Sequence, residues 1–105
     1  MKRLYMIEAD ANRGGEISVE VFALLNESKK GVVYEMHDGT RRRYDARNLW
    51  RVQTMDHGTR AKCVFPCPDS QLAEELRLRK LALIDALNAE GQRRAINLMR
   101  MEDGV

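Results

Sequence analysis

Two histidines and two cysteines are the side chains of this sequence best suited to binding a metal ion. Cys63 and Cys67 are separated by three residues, a spacing that is unusual for a structural zinc knuckle, and His37 and His57 stand in two different turn motifs. The pattern therefore favours two turn histidines, one core thiol and one loop thiol. It predicts neither a metal site nor any other cofactor.

Catalysis would require a nucleophile beside a base, or paired carboxylates in a cleft. Cys67 with His57 is the one nominal pair, and no other residue pattern supports it. Residues 12–15 (N-R-G-G) lack the Lys-Ser/Thr ending of a phosphate-binding loop, and no helix clearly follows them. The sequence therefore predicts no catalytic residue and no enzymatic activity.

Basic side chains are concentrated in the middle of the chain. The 18 Lys and Arg against 16 Asp and Glu give a formal charge of +2, which alone implies no partner. Residues 31–68, however, carry more basic than acidic side chains. When the two hairpins described below are paired for their best apolar face, five basic side chains point outward: Arg41, Arg43, Arg51, Arg60 and Lys62.

This outward basic face leads to the first functional hypothesis, which is binding of a nucleic acid through its phosphate backbone. Small β-barrels that bind nucleic acids usually add exposed aromatic side chains, and the sequence places none on this face. The alternative is a solvated strand face whose charges discourage edge-to-edge aggregation, or a face that binds an acidic protein.

The first hairpin joins residues 32–36 to residues 41–46. A two-residue Asp38-Gly39 loop would leave no apolar face, whereas a three-residue loop with Gly39 in a left-handed conformation shifts the register by one. In that register one face holds five residues: Val32, Tyr34, Met36, Tyr44 and Ala46. Arg41 and Arg43 then lie on the other face beside Glu35.

The second hairpin joins residues 49–55 to residues 60–65 through a turn at His57-Gly58. In this register Trp50 faces Phe65, Val52 faces Cys63, and Thr54 faces Ala61. We expect a core of Trp50, Val52, Cys63, Phe65 and Tyr44, packed against a helix. Residues 66–68 (P-C-P) are expected to close the sheet region, because proline cannot donate to a strand ladder.

The first thirty residues predict a short strand and a turn, followed by a segment with two possible structures. Residues 2–8 can form a first strand, and residues 9–15 contain the Asn and Gly residues of a turn. In residues 16–25, alternation of Ile17, Val19 and Val21 favours a strand. The spacing of Ile17, Val21 and Leu24 also fits a helix, so both structures remain open.

A helix is predicted from Asp69 or Ser70, which can cap its first turn. Its apolar stripe contains six residues: Leu72, Ala73, Leu76, Leu83, Ile84 and Leu87. Gly91 predicts a stop or a kink, followed by a second helical segment over residues 92–101. The sequence therefore predicts either one bent helix or a helical hairpin.

Leu78 and Leu81 lie roughly opposite this stripe and give the helix a second apolar patch. Either the C-terminal segment, with Ile96 and Met99, packs back onto them, or another chain covers them. Leu78, Leu81, Ile96 and Met99 are therefore the candidate partner-binding residues. The second functional hypothesis is a protein-binding adaptor or inhibitor that acts through the C-terminal helices. One form of this hypothesis is that the protein acts as a homodimer.

At 105 residues the chain fits one domain, with a β region at residues 1–68 and a helical region at residues 69–102. The expected fold is α+β: an antiparallel, barrel-like sheet of five or six strands followed by a long or kinked helix. The first seven residues are too short for a signal-peptide core, so we expect a cytoplasmic protein with reduced cysteines and no membrane association. The functional class expected is a non-enzymatic binding or regulatory module.

Overall fold

The structure, a computed structural model, describes the backbone of residues 1–103 and the side chains of residues 1–89. The described residues form six strands and one long helix: β1 (Lys2–Asp10), β2 (Glu16–Ser28), β3 (Gly31–Glu35), β4 (Arg41–Asp45), β5 (Gln53–Met55), β6 (Arg60–Pro68) and α1 (Leu72–Asp103). Short 3₁₀ turns span Ala11–Arg13, Ala46–Asn48 and Asp69–Gln71. The predicted α+β class and the order of sheet then helix are confirmed.

All six strands belong to one antiparallel sheet in the order β4-β3-β2-β1-β6-β5. In a flat sheet β4 and β6 would lie about 19 Å apart, because neighbouring strands are spaced by about 4.8 Å. Instead, the Nζ of Lys62 on β6 lies 5.9 Å from the centroid of the Tyr44 ring on β4. The sheet is therefore strongly curled into a half-barrel, with a concave inner face and a convex outer face.

The outer face of β1 and β6 packs against α1. This core contains Tyr5 and Ile7 from β1, Cys63 and Phe65 from β6, and the buried Leu83 and Leu87 from the helix, among others. Cys63, Phe65 and the partly buried Val52 lie where the sequence predicted them. Trp50 was predicted in the same core and stacks on Phe65, but it is 38% exposed, so its predicted burial is wrong. The packing follows from the antiparallel β1–β6 register, which sets Tyr5 opposite Phe65 and Ile7 opposite Cys63.

The inner face encloses a second core, which the sequence did not predict. Leu4, Phe22, Val32, Tyr34 and Val64 are buried there, and Tyr44 packs against them. Tyr44 was predicted to pack against the helix, and this expectation is wrong. The reason is the curl of the sheet, which brings β3 and β4 over the inner side of β6 and so buries both faces of the central strands.

The strand pairs that form in both hairpins have the predicted register, but β5 begins only at Gln53, so the predicted strand pairing of Trp50 with Phe65 and of Val52 with Cys63 does not form. Across β3 and β4, Met36 and Thr40 flank the three-residue loop, and Gly39 has a φ of 87°. Across β5 and β6, Thr54 lies opposite Ala61, and Gly58 has a φ of 82°. The second turn differs from a simple two-residue turn, because Asp56 and His57 also have positive φ. It contains two overlapping hydrogen bonds, from the Gly58 N–H to the Met55 carbonyl and from the Thr59 N–H to the Asp56 carbonyl.

Residues 16–28 form a strand, so the strand interpretation of this segment is confirmed. An irregularity between Leu24 and Asn26 shifts the register of β2 against β3, and such bulges increase local bending and twist. The bulge lies beside Leu24, which packs against the inner core. It therefore contributes to the curl.

The end of β6 differs from the sequence prediction. The strand continues through Pro66 and Cys67 to Pro68, paired with β1, so Cys67 is a buried strand residue rather than a loop residue. The prolines are tolerated because β5 pairs with β6 no further than Lys62. Beyond that point β6 has one strand neighbour, so a missing N–H on its other side breaks no ladder bond.

The helix α1 continues through Gly91 as one element. A helical hairpin, in which residues after Gly91 would pack back onto Leu78 and Leu81, is therefore excluded. Within the helix, Arg79 forms an i,i+4 ion pair with Glu75 at 3.3 Å. Ile84 and Ala73 lie on the exposed side of the helix, so the buried stripe is narrower than predicted.

Candidate functional site

The five predicted basic residues do not share one surface. Arg41 and Arg43 lie on the outer face of β4, opposite Glu35 and Val33 of β3. Along β6, Arg60 and Lys62 alternate with Ala61 and Cys63, which face outward. Arg60 and Lys62 therefore lie on the inner face. Arg51 stands in the connection that precedes β5. The single outward basic face expected from the hairpins is therefore wrong, since the curl of the sheet turns one side of β6 inward.

Arg60 is already bound by two carboxylates of the same chain. Its guanidinium pairs with Glu8 on the neighbouring strand β1, and its Nη1 lies 3.0 Å from Oδ2 of Asp56. The hydrogen bond to Asp56 contributes most, and the hydrogen bond to Glu8 next, to raising the pKa of Arg60 above its ordinary value. Arg60 remains charged, but together with Glu8 and Asp56 it forms a cluster with a net negative formal charge, which disfavours a phosphate.

Lys62 is directed into the concavity of the half-barrel. It lies across from Glu8 on β1, and its ammonium group stands over the Tyr44 ring. Burial is the main cause that raises the pKa of the Tyr44 phenol. Lys62 therefore has an acidic and an aromatic neighbour within the fold, and it lies on the face opposite to Arg41 and Arg43.

A different group of basic side chains comes together at one edge of the sheet. An open cleft there is lined by Lys29, Lys30, Arg43 and Arg47, together with Tyr44, Asp45 and Ala46. We refer to these seven residues as the basic cleft. All four basic side chains are exposed to solvent, and Asp45 is the one acidic residue of the lining. Arg41 is two residues before Arg43 on the same face of β4.

Local backbone structure positions the basic cleft. Lys29 and Lys30 form the tight turn between β2 and β3, where the Lys30 N–H donates to Ser28 Oγ at 3.2 Å. The Lys30 carbonyl then accepts a bond of 3.0 Å from the Ala46 N–H, which fixes this turn against the start of the 3₁₀ turn Ala46–Asn48. The two loops that supply the basic side chains are therefore joined directly.

Asp45 organises the 3₁₀ turn that carries Arg47. Its Oδ1 accepts from the Arg47 N–H at 3.2 Å, and its Oδ2 accepts from Arg47 Nε at 3.1 Å. The first bond is that of an N-cap residue, which satisfies a backbone donor left free at the start of a helical turn. Both carboxylate oxygens are thus used within the cleft.

Gly31 allows the two strands beneath the cleft to approach each other. It has a φ of 145°, and a Cβ built on it would lie 2.1 Å from the carbonyl oxygen of Tyr44. Any other residue would push β4 and the Ala46 turn away from β3. This glycine therefore belongs to the framework of the basic cleft, a role that the sequence did not indicate.

Sequence reasoning selected Arg43 but missed Lys29, Lys30 and Arg47. Lys29 and Lys30 lie between the predicted elements, and Arg47 stands outside both hairpin strands. Two lysines immediately before a hairpin, with a third basic residue just after it, were the available signal. The backbone hydrogen bond between Ala46 and Lys30, which the sequence does not reveal, shows that the two loops carrying these basic residues meet.

The histidines and cysteines show no arrangement for chemistry. Cys63 and Cys67 are buried, and burial raises the pKa of both thiols, so thiolate formation is disfavoured. His37 lies against Phe22 with the two rings tilted by 31° and their centroids 4.9 Å apart, and His57 lies in the β5–β6 turn. Within the described residues, no three His, Cys, Asp or Glu side chains come together to hold a metal ion.

The outward side of α1 carries the other candidate surface. Leu78, Leu81 and Ile84 are 40%, 52% and 40% exposed and follow one another at intervals of three residues. We refer to these three residues as the helix ridge. The predicted partner-binding residues Ile96 and Met99 fall beyond Ala89, outside the described side chains.

Comparisons of this chain with protein-family models, with curated proteins and with solved structures find no match. In the part of the chain that the structure describes, no helix has the combined length and apolar character needed to cross a bilayer. Function must therefore be inferred from the two surfaces of the molecule itself.

Proposed function

We propose that this protein is a non-enzymatic module that binds nucleic acid through the basic cleft. The observation that supports the proposal is the convergence of four exposed basic side chains, Lys29, Lys30, Arg43 and Arg47, around an open cleft with one carboxylate. Phosphate groups of a nucleic acid backbone are the common ligands of such a cluster.

The charge of the cleft remains available to a ligand. Asp45 neutralises part of Arg47, while Lys29, Lys30 and Arg43 have no carboxylate within ion-pair distance among the described residues. Arg60, in contrast, is neutralised by Glu8 and Asp56. The proposal therefore keeps Arg43 from the predicted set, adds the three neighbours that the fold brings to it, and leaves out Arg60 and Lys62.

The proposal is tested by the salt dependence of binding. Each basic residue that neutralises a phosphate releases counterions, so the slope of log affinity against log salt falls by about 0.9 per contact on duplex DNA. Lys30→Ala and Arg43→Ala should each weaken binding and flatten this slope by about one unit. Fluorescence anisotropy of labelled DNA and RNA, in single- and double-stranded form, measures both quantities.

Arg13→Ala is the matched control, since it removes the same charge from a side chain that is likewise exposed. Arg13 stands in the turn between β1 and β2, at the end of β2 opposite to Lys29, among the acidic residues Asp10 and Glu16. It should leave the slope unchanged. Absence of salt-sensitive binding at low ionic strength in a folded sample would overturn the proposal.

A protein-binding adaptor or inhibitor that acts through α1 is the second candidate function. It is supported by the helix ridge, where three large apolar side chains stay exposed while Leu83 and Leu87 fill the core. If the ridge mediates self-association or partner binding, Leu81→Ser should abolish it while Arg43→Ala leaves it intact. Sedimentation of the two variants beside the parent chain measures the difference.

A further inference from the structure

The positions of the aromatic side chains bear on which form of nucleic acid the basic cleft can hold. The chain has six aromatic residues, and all lie within the described part of the structure. Four of them are buried in the two cores: Tyr5, Phe22, Tyr34 and Phe65. Only Trp50 and Tyr44 expose enough ring surface to be considered as platforms on which a base can stack.

Trp50 is occupied by contacts within the fold. Its ring stacks on Phe65 with centroids 5.2 Å apart, and the Arg79 guanidinium of α1 lies 4.9 Å from its centroid. The backbone N–H of Trp50 donates to the Val64 carbonyl at 2.8 Å, which helps to hold the residue at its positive φ of 67°. Trp50 therefore belongs to the junction of sheet and helix, and it does not line the basic cleft.

Tyr44 lines the basic cleft but directs its ring elsewhere. The ring packs against the inner core, under the ammonium group of Lys62. Residues of β4 alternate between faces, so the neighbouring Arg43 points to the opposite side of the strand. A nucleic acid held by Arg43 consequently meets basic side chains and backbone, and no aromatic ring.

Proteins that bind single strands generally combine a basic groove with aromatic rings on which bases stack, a contribution of about 1–3 kcal/mol per base. The basic cleft offers only the electrostatic part. A duplex needs no stacking partner, and it presents more phosphates per unit length to a fixed cluster of cations. These considerations favour a duplex over a single strand.

A ribose 2′-hydroxyl, the group that distinguishes RNA from DNA, is both a donor and an acceptor. The one carboxylate of the cleft that could accept from it is Asp45, and each Asp45 oxygen already accepts a hydrogen bond from Arg47. Resting on the proposed function, we propose that the ligand of the basic cleft is double-helical DNA, bound through its phosphates without sequence specificity.

The experiment compares four labelled probes of equal length in nucleotides per strand: two DNA duplexes of unrelated sequence, one of their single strands, and the matching RNA duplex. The two DNA duplexes should bind equally, and several-fold more tightly than the single strand or the RNA duplex. At about 0.9 per contact on duplex DNA, the three cations Lys29, Lys30 and Arg43, unpaired among the described residues, give a slope of log affinity against log salt of about −2.7, and a further contact from Arg47 raises its magnitude to about 3.6.

Trp50 supplies a second readout, because it is the sole tryptophan of the chain. Its fluorescence should stay unchanged when saturating DNA is added, whereas stacking of a base on its ring would quench it. Lys30→Ala should weaken duplex binding, and Arg13→Ala should not.

Each outcome decides a separate question. A single strand that binds more tightly than the duplex, with quenching of Trp50, would overturn this inference and leave the proposed function standing. An RNA duplex that binds as tightly as the DNA duplex would overturn the assignment to DNA, and a strong preference between the two DNA sequences would overturn the backbone-only mode. Failure of all four probes to bind at low salt would instead overturn the proposed function.

Discussion

Gly31 stands where the backbones of β3 and β4 come closest beneath the basic cleft. Gly31 has a positive φ, and its lack of a side chain leaves room for the Tyr44 carbonyl. It therefore permits both this backbone conformation and the close approach of the two strands. Gly39 has a positive φ as well, but the space around its Cα is open. The two glycines therefore separate the cost of a left-handed backbone from the cost of a steric clash.

We expect Gly39→Ala to lower the free energy of unfolding by about 1 kcal/mol, the usual cost of a side chain at positive φ. Gly31→Ala should cost clearly more, because β4 must also move away from β3. Urea denaturation of both variants measures the difference. Equal costs at the two positions would mean that the close approach of β3 to Tyr44 does not constrain the fold.

At the same scale, the sequence predicted some residue roles well and others badly. The left-handed conformations of Gly39 and Gly58 followed from turn chemistry, which is a local property of a few residues. The ion pairs of Arg60 did not, because Glu8 lies more than fifty residues away and Asp56 reaches it only through an unusual left-handed turn. Residues selected by charge alone can therefore be neutralised by partners that the sequence does not reveal.

At the scale of elements, α1 is the part whose two sides differ most. Leu83 is fully buried against Cys63 and Phe65, whereas Leu81, two residues earlier, is half exposed on the helix ridge. Both residues are leucines in the same helix, so their intrinsic helix propensities are equal. Any difference between their substitutions reports packing against the sheet.

Leu83→Ala should lower the free energy of unfolding by about 2–5 kcal/mol, the usual range for truncation of a core leucine. Leu81→Ala is the matched control and should change it by no more than about 0.5 kcal/mol in the isolated chain, as for most surface substitutions. Chemical denaturation monitored by far-UV circular dichroism provides both values. An unaltered stability for Leu83→Ala would show that the helix does not cover the sheet.

The elements themselves were largely predictable. Strand alternation and turn residues gave both hairpins in their correct register, and the apolar stripe gave the helix. The two prolines at the end of β6 led to a wrong prediction of where the strand ends, because the effect of a proline depends on whether a second strand lies beside it. The presence of one glycine at position 91 likewise did not determine whether the helix bends there, since the effect of a glycine depends on the packing around it.

At the scale of the whole molecule, the curl of the sheet decides the arrangement of the candidate site. Each hairpin, taken alone, has one apolar and one basic face, which predicts one continuous basic surface. In the half-barrel the inner side of β6 is enclosed by β3 and β4, so Lys62 and Arg43 point to opposite sides. Curvature depends on the bulge in β2 and on pairing between distant strands, and no local pattern encodes it.

The two cores share the strands β1 and β6 and are separated only by their backbones. Leu4 and Val64 fill the inner core, while Tyr5 and Phe65, their immediate neighbours in sequence, fill the outer one. A loss of order on one face therefore disturbs the strands that support the other. We expect the chain to unfold in one cooperative transition despite its two cores.

Leu4→Ala tests this coupling, because Leu4 is fully buried in the inner core while the tryptophan that reports unfolding lies on the outer side. It should destabilise the protein by about 2–5 kcal/mol. The midpoint followed by Trp50 fluorescence should shift in urea by the same amount as the midpoint followed by circular dichroism. Ile7→Ala, which truncates a fully buried residue of the outer core, is the companion variant and should shift both signals in the same way. If Leu4→Ala lowered the circular dichroism midpoint while the Trp50 midpoint stayed in place, the two cores would unfold independently, and the half-barrel and its helix would not be a single cooperative unit.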